Sequence, residues 1–301
     1  MPDGPTFLTS LLAGGVAGTT TDVALFPLDT IKTRMQSPQG FLKSGGFRGV
    51  YKGLSAAAVG SAPGAAIFFS TYEMSKQYVS ATWPGAVPAS VVHMGCASVG
   101  EVAACLVRVP TEVVKQRMQA GLHASMASAV SSTLKAQGIL GLYQGFGITI
   151  MREIPFSLIQ FPLYEFMKAE IRSSRGNGTE PHAYESAVCG SLSGALAAAL
   201  TTPLDVLKTR LMLGADAQGR PYLGPLDTLR RVLQEGHANT AAAAAAAAGK
   251  GGSALSAAAA PGKSAAQLLF SGVEPRVMWI GIGGFVFFGA YEAAKGLLLG
   301  L

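Results

Sequence analysis

Pro27-Leu28-Asp29-Thr30-Ile31-Lys32-Thr33-Arg34 decides the fold because it returns twice, as Pro110-Thr111-Glu112-Val113-Val114-Lys115-Gln116-Arg117 and Pro203-Leu204-Asp205-Val206-Leu207-Lys208-Thr209-Arg210. Each copy sets an acid two residues after a proline, a base three later and an arginine two beyond, and each closes a long apolar run. A period of roughly 80 to 95 residues carried through a whole chain marks a repeat architecture. Acid and base three apart share one face of a helix, so in three helices set about an axis each acid can reach a neighbour's base. The proline removes a backbone hydrogen bond and kinks its helix, which aims the charged turn inward. The pattern therefore predicts a closed ring of ion pairs.

Composition places that ring in lipid. The chain has 301 residues, 49% of them apolar and 13% Asp, Glu, Lys or Arg, about half the charged share of a soluble protein. Thirty-eight glycines and a mean hydropathy of +0.36 suit helices packed closely in a membrane. The net charge of +6 reads as loop charge near acidic headgroups, and no nucleic-acid-reading motif accompanies it. Cys96, Cys105 and Cys189 fall in apolar runs without disulfide or metal spacing, and the four histidines are scattered, so neither a metal nor another cofactor is expected. Met1-Pro2-Asp3-Gly4-Pro5 carries an acid and no arginine, and does not read as a cleavable targeting peptide. Gly281-Ile282-Gly283-Gly284 lies in an apolar helix with no strand before it, where close packing explains it better than a nucleotide loop, and no nucleophile–base pair suggests an enzyme.

The triplicated Pro-x-acid-x-x-base resembles the signature of the mitochondrial carrier family over nearly the whole chain. The second half of that signature resembles Gly46-Phe47-Arg48-Gly49-Val50-Tyr51-Lys52-Gly53 and Gln137-Gly138-Ile139-Leu140-Gly141-Leu142-Tyr143-Gln144-Gly145. In the third repeat it is split, with Glu235-Gly236 far from Phe270-Ser271-Gly272. The resemblance implies an all-α membrane protein: six transmembrane helices in three pseudo-threefold repeats around a central cavity, acting as a monomer. The repeats are expected at 1–82, 83–178 and 179–301. The implied location is the mitochondrial inner membrane, with a plastid envelope as the alternative and cardiolipin a candidate lipid partner.

Along the chain, spans are expected near Thr6–Gln36, Leu54–Val79, Ser90–Gln119, Phe146–Ile171, Tyr184–Leu213 and Val273–Leu299, each long enough to cross about 30 Å of hydrocarbon. Ser125 to Gln137 reads as an interfacial amphipathic segment. The stretch 237–267, with eight consecutive alanines from Ala241 to Ala248, reads as a low-complexity insertion, mostly disordered and without function.

Two gates follow from the resemblance. On the matrix side it pairs Asp29 with Lys115, Glu112 with Lys208 and Asp205 with Lys32. Gln36 and Gln119 match the family's bracing glutamines, and Met212 stands at the third position. On the cytoplasmic side Tyr-Glu-x-x-Lys occurs three times, at Tyr72, Glu73, Lys76, at Tyr164, Glu165, Lys168 and at Tyr291, Glu292, Lys295. The resemblance pairs Glu73 with Lys168, Glu165 with Lys295 and Glu292 with Lys76. Ion pairs in a membrane recover only part of their desolvation cost, so each ring is marginally favourable and ligand binding between them can exchange one for the other.

Polar positions that differ between repeats should serve a ligand that has no threefold symmetry. Asp22 corresponds to Cys105 and Ala198, Glu101 to Gly18 and Gly194, and Arg108 to Leu25 and Thr201. On the even helices Arg152-Glu153 corresponds to Gly60-Ser61 and Trp279-Ile280, pairs that resemble the family's three midplane contact points. Ionisable residues inside a membrane are candidates for function. A structural bridge from Glu101 to Arg108 is the plainer alternative for that pair. Arg152 can hold a carboxylate in two hydrogen bonds while Glu153 takes an ammonium, and Asp22 with Glu101 leaves room for a further cation. Trp279, Phe68 and Phe69 offer a flat surface, although packing suits the phenylalanines equally. S-adenosylmethionine has all of these groups, and the resemblance implies S-adenosylhomocysteine as its exchange partner. A basic amino acid such as ornithine is the other candidate, and a non-transporting membrane protein the remaining one.

Overall fold

The structure is a computed structural model describing residues 7–82, 89–175, 182–247 and 263–299, with side chains over most of 18–286. Its long helices are α1 (Phe7–Gln36), α2 (Leu54–Thr82), α3 (Ala89–Gln119), α5 (Phe146–Arg175), the successive α6 (Ala183–Leu200) and α7 (Thr202–Leu213), and α10 (Val273–Leu299). Between them lie α4 (Met126–Gln137), a 3-10 turn (Ile139–Tyr143), α8 (Pro225–Ala247) and α9 (Ala265–Leu269). Among the described residues the β pairing is limited to one antiparallel bridge between Ala215 and Pro221.

α1 and α3 run without a break through Pro27 and Pro110. The third odd helix does not. The expected span Tyr184–Leu213 is two helices bent by 65° at Thr201. Thr201 and Thr202 turn their hydroxyls back onto the carbonyls of Ala197 and Ala198, each at 2.7 Å, and Pro203 supplies no N–H to continue the ladder. Back-bonding hydroxyls followed by proline loosen a helix at that point.

Residues 237–247 also differ from expectation. α8 carries its helix through the alanines to Ala247, because alanine has the highest helix propensity and extends a turn already nucleated at Pro225–Asp227. Residues 248–262 lie outside the described residues.

The chain divides into two compact units. In the first, residues 1–36, 152–206 and 232–301, α10 packs on both α1 and α6. In the second, residues 37–151 and 207–231, α2 packs on α3, and α3 on α4 and the 3-10 turn.

Both units are turned inside out relative to a soluble protein. Leu106, Leu158, Phe161 and Leu192 are more than half exposed, whereas Arg34, Asp205, Lys208 and Arg276 are at most 5% exposed. Apolar atoms outward and paired charges inward is the arrangement that hydrocarbon selects. By length and apolarity α2 qualifies alone as a span among the described residues, and the bent α6–α7 pair qualifies as one more.

Close approach of neighbouring helices depends on glycine at equivalent positions. Gly53 and Gly272 have φ of +96° and +76°, and a Cβ on them would lie 3.0 and 3.2 Å from the carbonyl oxygens of Lys115 and Lys32. Gly145, φ +93°, would meet Met212 Cγ at 2.9 Å.

Candidate transport site and gates

The signature proline stands two residues before each acid, so the acid lies in the first turn past the kink and the lysine one turn later on the same face. In the first unit, Lys32 Nζ of α1 lies 2.7 Å from Asp205 Oδ2 of α7. Gln36, one turn beyond Lys32, donates to the same oxygen at 3.0 Å. In the second unit, Lys208 Nζ lies 2.6 Å from Glu112 Oε1, and Gln116 donates to that oxygen at 3.1 Å. Asp29 belongs to the first unit and Lys115 to the second. Gln119 is fully buried against Gly53. Met212, at the third glutamine position, packs instead with Cys105, Val109 and Val113.

The signature arginines Arg34, Arg117 and Arg210 are all buried. Arg117 donates from Nε to the carbonyl of Met212 at 3.0 Å, from Nη1 to Thr133 Oγ1 at 2.6 Å, and from Nη2 to the side-chain oxygens of Gln137 and Gln144 at 3.2 and 3.1 Å. One planar guanidinium thus ties α3 to α4, to the following turn and to the end of α7.

Of the positions where threefold symmetry lapses, Arg152 and Glu153 form an ion pair on α5, both partly buried. Arg152 Nε also stands 3.9 Å from Asp205 Oδ1. Glu101 and Arg108 meet on α3, with buried Cys105 between them, its Sγ 3.5 Å from Arg108 Nη2. The bridge left open in the sequence is thus formed. Asp22 is exposed on α1. Gly60 is buried where a Cβ would overlap Thr111 of α3, so it serves helix approach. Ser61 is exposed and its hydroxyl points to the Ala58 carbonyl. Ile280 sits over Gly194, and Trp279 is partly buried.

At the other end, Lys76 and Lys168 each lie over the tyrosine ring of their own helix, Tyr72 at 5.9 Å and Tyr164 at 5.1 Å from the centroid. Glu73 and Glu165 are exposed. The side chains of Tyr291, Glu292 and Lys295 lie outside the described residues.

Sequence reasoning missed Arg276. It is 3% exposed in the first turn of α10, donates to the Thr201 carbonyl at 3.3 Å and to Thr201 Oγ1 at 2.9 Å, and its Nη1 lies 3.3 Å from Asp205 Oδ2. Aligned on the tyrosines, Arg276 corresponds to Ala57 and Thr149. The same lapse of symmetry that marks Arg152 marks Arg276, three residues before Trp279.

Helices with apolar exteriors, interior ion pairs and a signature in three copies define a membrane carrier, a transporter and not an enzyme. The sequence profile described as "Mitochondrial carrier protein" matches residues 3–82, 87–175 and 179–258, and the chain belongs to that family, in the mitochondrial inner membrane. It is 47% identical over 298 residues to the mitochondrial S-adenosylmethionine carrier protein of Mus musculus, covering 99% of this chain and 97% of that one. The protein of the same name from Xenopus tropicalis is 46% identical over 97% of both chains. The S-adenosylmethionine mitochondrial carrier protein homolog of Drosophila melanogaster is 45% identical, over 97% of this chain and 93% of its own length.

Proposed function

We propose that this carrier exchanges S-adenosylmethionine for S-adenosylhomocysteine across the mitochondrial inner membrane by alternating access. The observation that carries the reading is the adjacent Arg152–Glu153 pair, with Arg152 Nε 3.9 Å from Oδ1 of the gate acid Asp205. An amino-acid zwitterion separates that pair: its carboxylate takes the guanidinium of Arg152 and its ammonium takes Glu153. The names of the relatives support the adenosyl substrate. The sulfonium brings a further positive charge, for which Asp22 and Glu101 are the candidate counter-ions, Glu101 by exchanging its Arg108 partner. Gly60, Ser61, Trp279 and Ile280 complete the set of candidate contacts.

Lys32–Asp205 and Lys208–Glu112 are then two members of a closed matrix gate, with Asp29–Lys115 as the third and Gln36 and Gln119 as braces. Glu73, Glu165 and Glu292 with Lys168, Lys295 and Lys76 form the cytoplasmic gate. The cations of Lys76 and Lys168 resting on their own tyrosines suit a state open to the cytoplasm. One chain carries all members of both rings, which suits a working monomer. The net charge of +6 suits anionic headgroups such as cardiolipin.

S-adenosylmethionine is net +1 and its demethylated product neutral, so each exchange moves one charge. That is worth about 2.3 kcal/mol per 100 mV. Purified protein in liposomes should take up labelled S-adenosylmethionine faster with an interior-negative potential and be inhibited by S-adenosylhomocysteine but not by ornithine. Arg152→Ala and Glu153→Gln should each lower uptake by about 100-fold or more. Uptake indifferent to both substitutions would remove the site, and inhibition by ornithine would point to a basic amino acid.

A further inference from the structure

We propose that Arg276 is a fixed counter-ion of Asp205, a positioning residue that lets the Lys32–Asp205 pair open without leaving the acid uncompensated. The proposal rests on reading that pair as part of the matrix gate. Asp205 is 3% exposed, and separating a buried pair leaves a charge whose desolvation is no longer offset. Lys32 belongs to α1 and must leave when the gate opens. Arg276 is held differently. Its guanidinium spans the break between α6 and α7, gripping the Thr201 carbonyl and hydroxyl while Nη1 faces Asp205 Oδ2 at 3.3 Å.

The break itself explains the arrangement. The carbonyl end of α6 carries partial negative charge and attracts a cation, while Asp205 sits in the first turn of α7, where an acid is favoured. Thr201, Asp205 and Arg276 therefore form one bent joint, and Asp205 moves with the cation beside it. The joint is peculiar to the third repeat. Arg276 corresponds to Ala57 and Thr149, Thr201 corresponds to Leu25 and Arg108, and the helices holding those last two run unbroken. The third arm of the gate is thus built to swing about Thr201, with Arg276 as its pin.

The test uses full-length protein in liposomes, with initial exchange rates measured over a range of S-adenosylmethionine concentrations and the substrate-induced shift in Tm measured in detergent. Arg276→Gln should lower the maximal rate by about 100-fold, leave KM within about threefold, and keep the Tm shift. Arg276→Lys should recover the rate to within about tenfold of wild type, because the charge beside Asp205 is restored. In an Asp205→Asn background Arg276→Gln should cost no further rate, since there is no acid left to compensate. Equal losses in both backgrounds, or no rescue by lysine, would reduce Arg276 to a brace of Thr201 and overturn the proposal. A raised KM with loss of the Tm shift would make it a substrate contact and overturn it equally. Wild-type protein without exchange would sink the transport reading itself.

Discussion

Gly53 is held at φ +96°, and a Cβ on it would lie 3.0 Å from the Lys115 carbonyl oxygen and 3.5 Å from Gln119 Cγ, so a side chain there is strained in backbone and in space. Gly53→Ala should destabilise the protein by about 1–3 kcal/mol, read as a lower Tm in detergent. Arg117 is the other residue on which much packing converges. Replacing it by lysine keeps the charge but loses the planar fork that serves the Met212 carbonyl, Thr133, Gln137 and Gln144 together. At least two buried acceptors then lose their donor, at about 1–3 kcal/mol each. Thermal unfolding of Arg117→Lys should show it, and a Tm equal to wild type would mean that the four contacts contribute nothing.

At the scale of elements, the loop between α7 and α8 is fixed by carboxylates. Asp216 accepts from the backbone N–H groups of Gln218 and Arg220 and from the side chains of Arg220 and Arg231. Burial raises its carboxyl, but hydrogen bonds and the Arg220 charge together outweigh this and hold it below its ordinary 3.8. Asp227 is lowered likewise, first by the Leu223 N–H and then by Arg231. A carboxyl lowered on folding contributes stability above its ordinary pKa and loses it as pH falls through the lower folded value. Amide exchange in residues 214–231 should therefore stay slow, after correction for intrinsic rates, at neutral pH and accelerate below about pH 4. Asp216→Asn should show that acceleration at neutral pH. In α8, a proline at Ala242 should remove helix from there to Ala247, costing about 3 kcal/mol of local helix stability. Far-UV circular dichroism would record the loss, with exchange unaffected.

For the whole molecule, the solvent is hydrocarbon. Val99 and Leu106 lie about 140–180° around α3 from Glu101 and Arg108 at 100° per residue, and both are more than half exposed. Leu106→Asp should cost about 2.5–3.5 kcal/mol of membrane insertion, seen as a lower membrane-inserted fraction on expression. In an aqueous protein that substitution would be neutral, so an unchanged inserted fraction would contradict the orientation of α3.

The repeated Pro-x-acid-x-x-base and the low charge content determined by themselves the class of protein and the threefold repeat of its charged helical turns, because a 3.6-residue period and a threefold sequence repeat are local properties. The lapse of symmetry at Arg152-Glu153 was equally legible. Tertiary structure alone decided that the third odd helix breaks at Thr201, that Glu101 is held by Arg108, and that Arg276 reaches across to Asp205. Residues 71 positions apart along the chain meet there. Which acid a buried guanidinium finds is set by how helices approach in space, and no periodicity in the sequence encodes it.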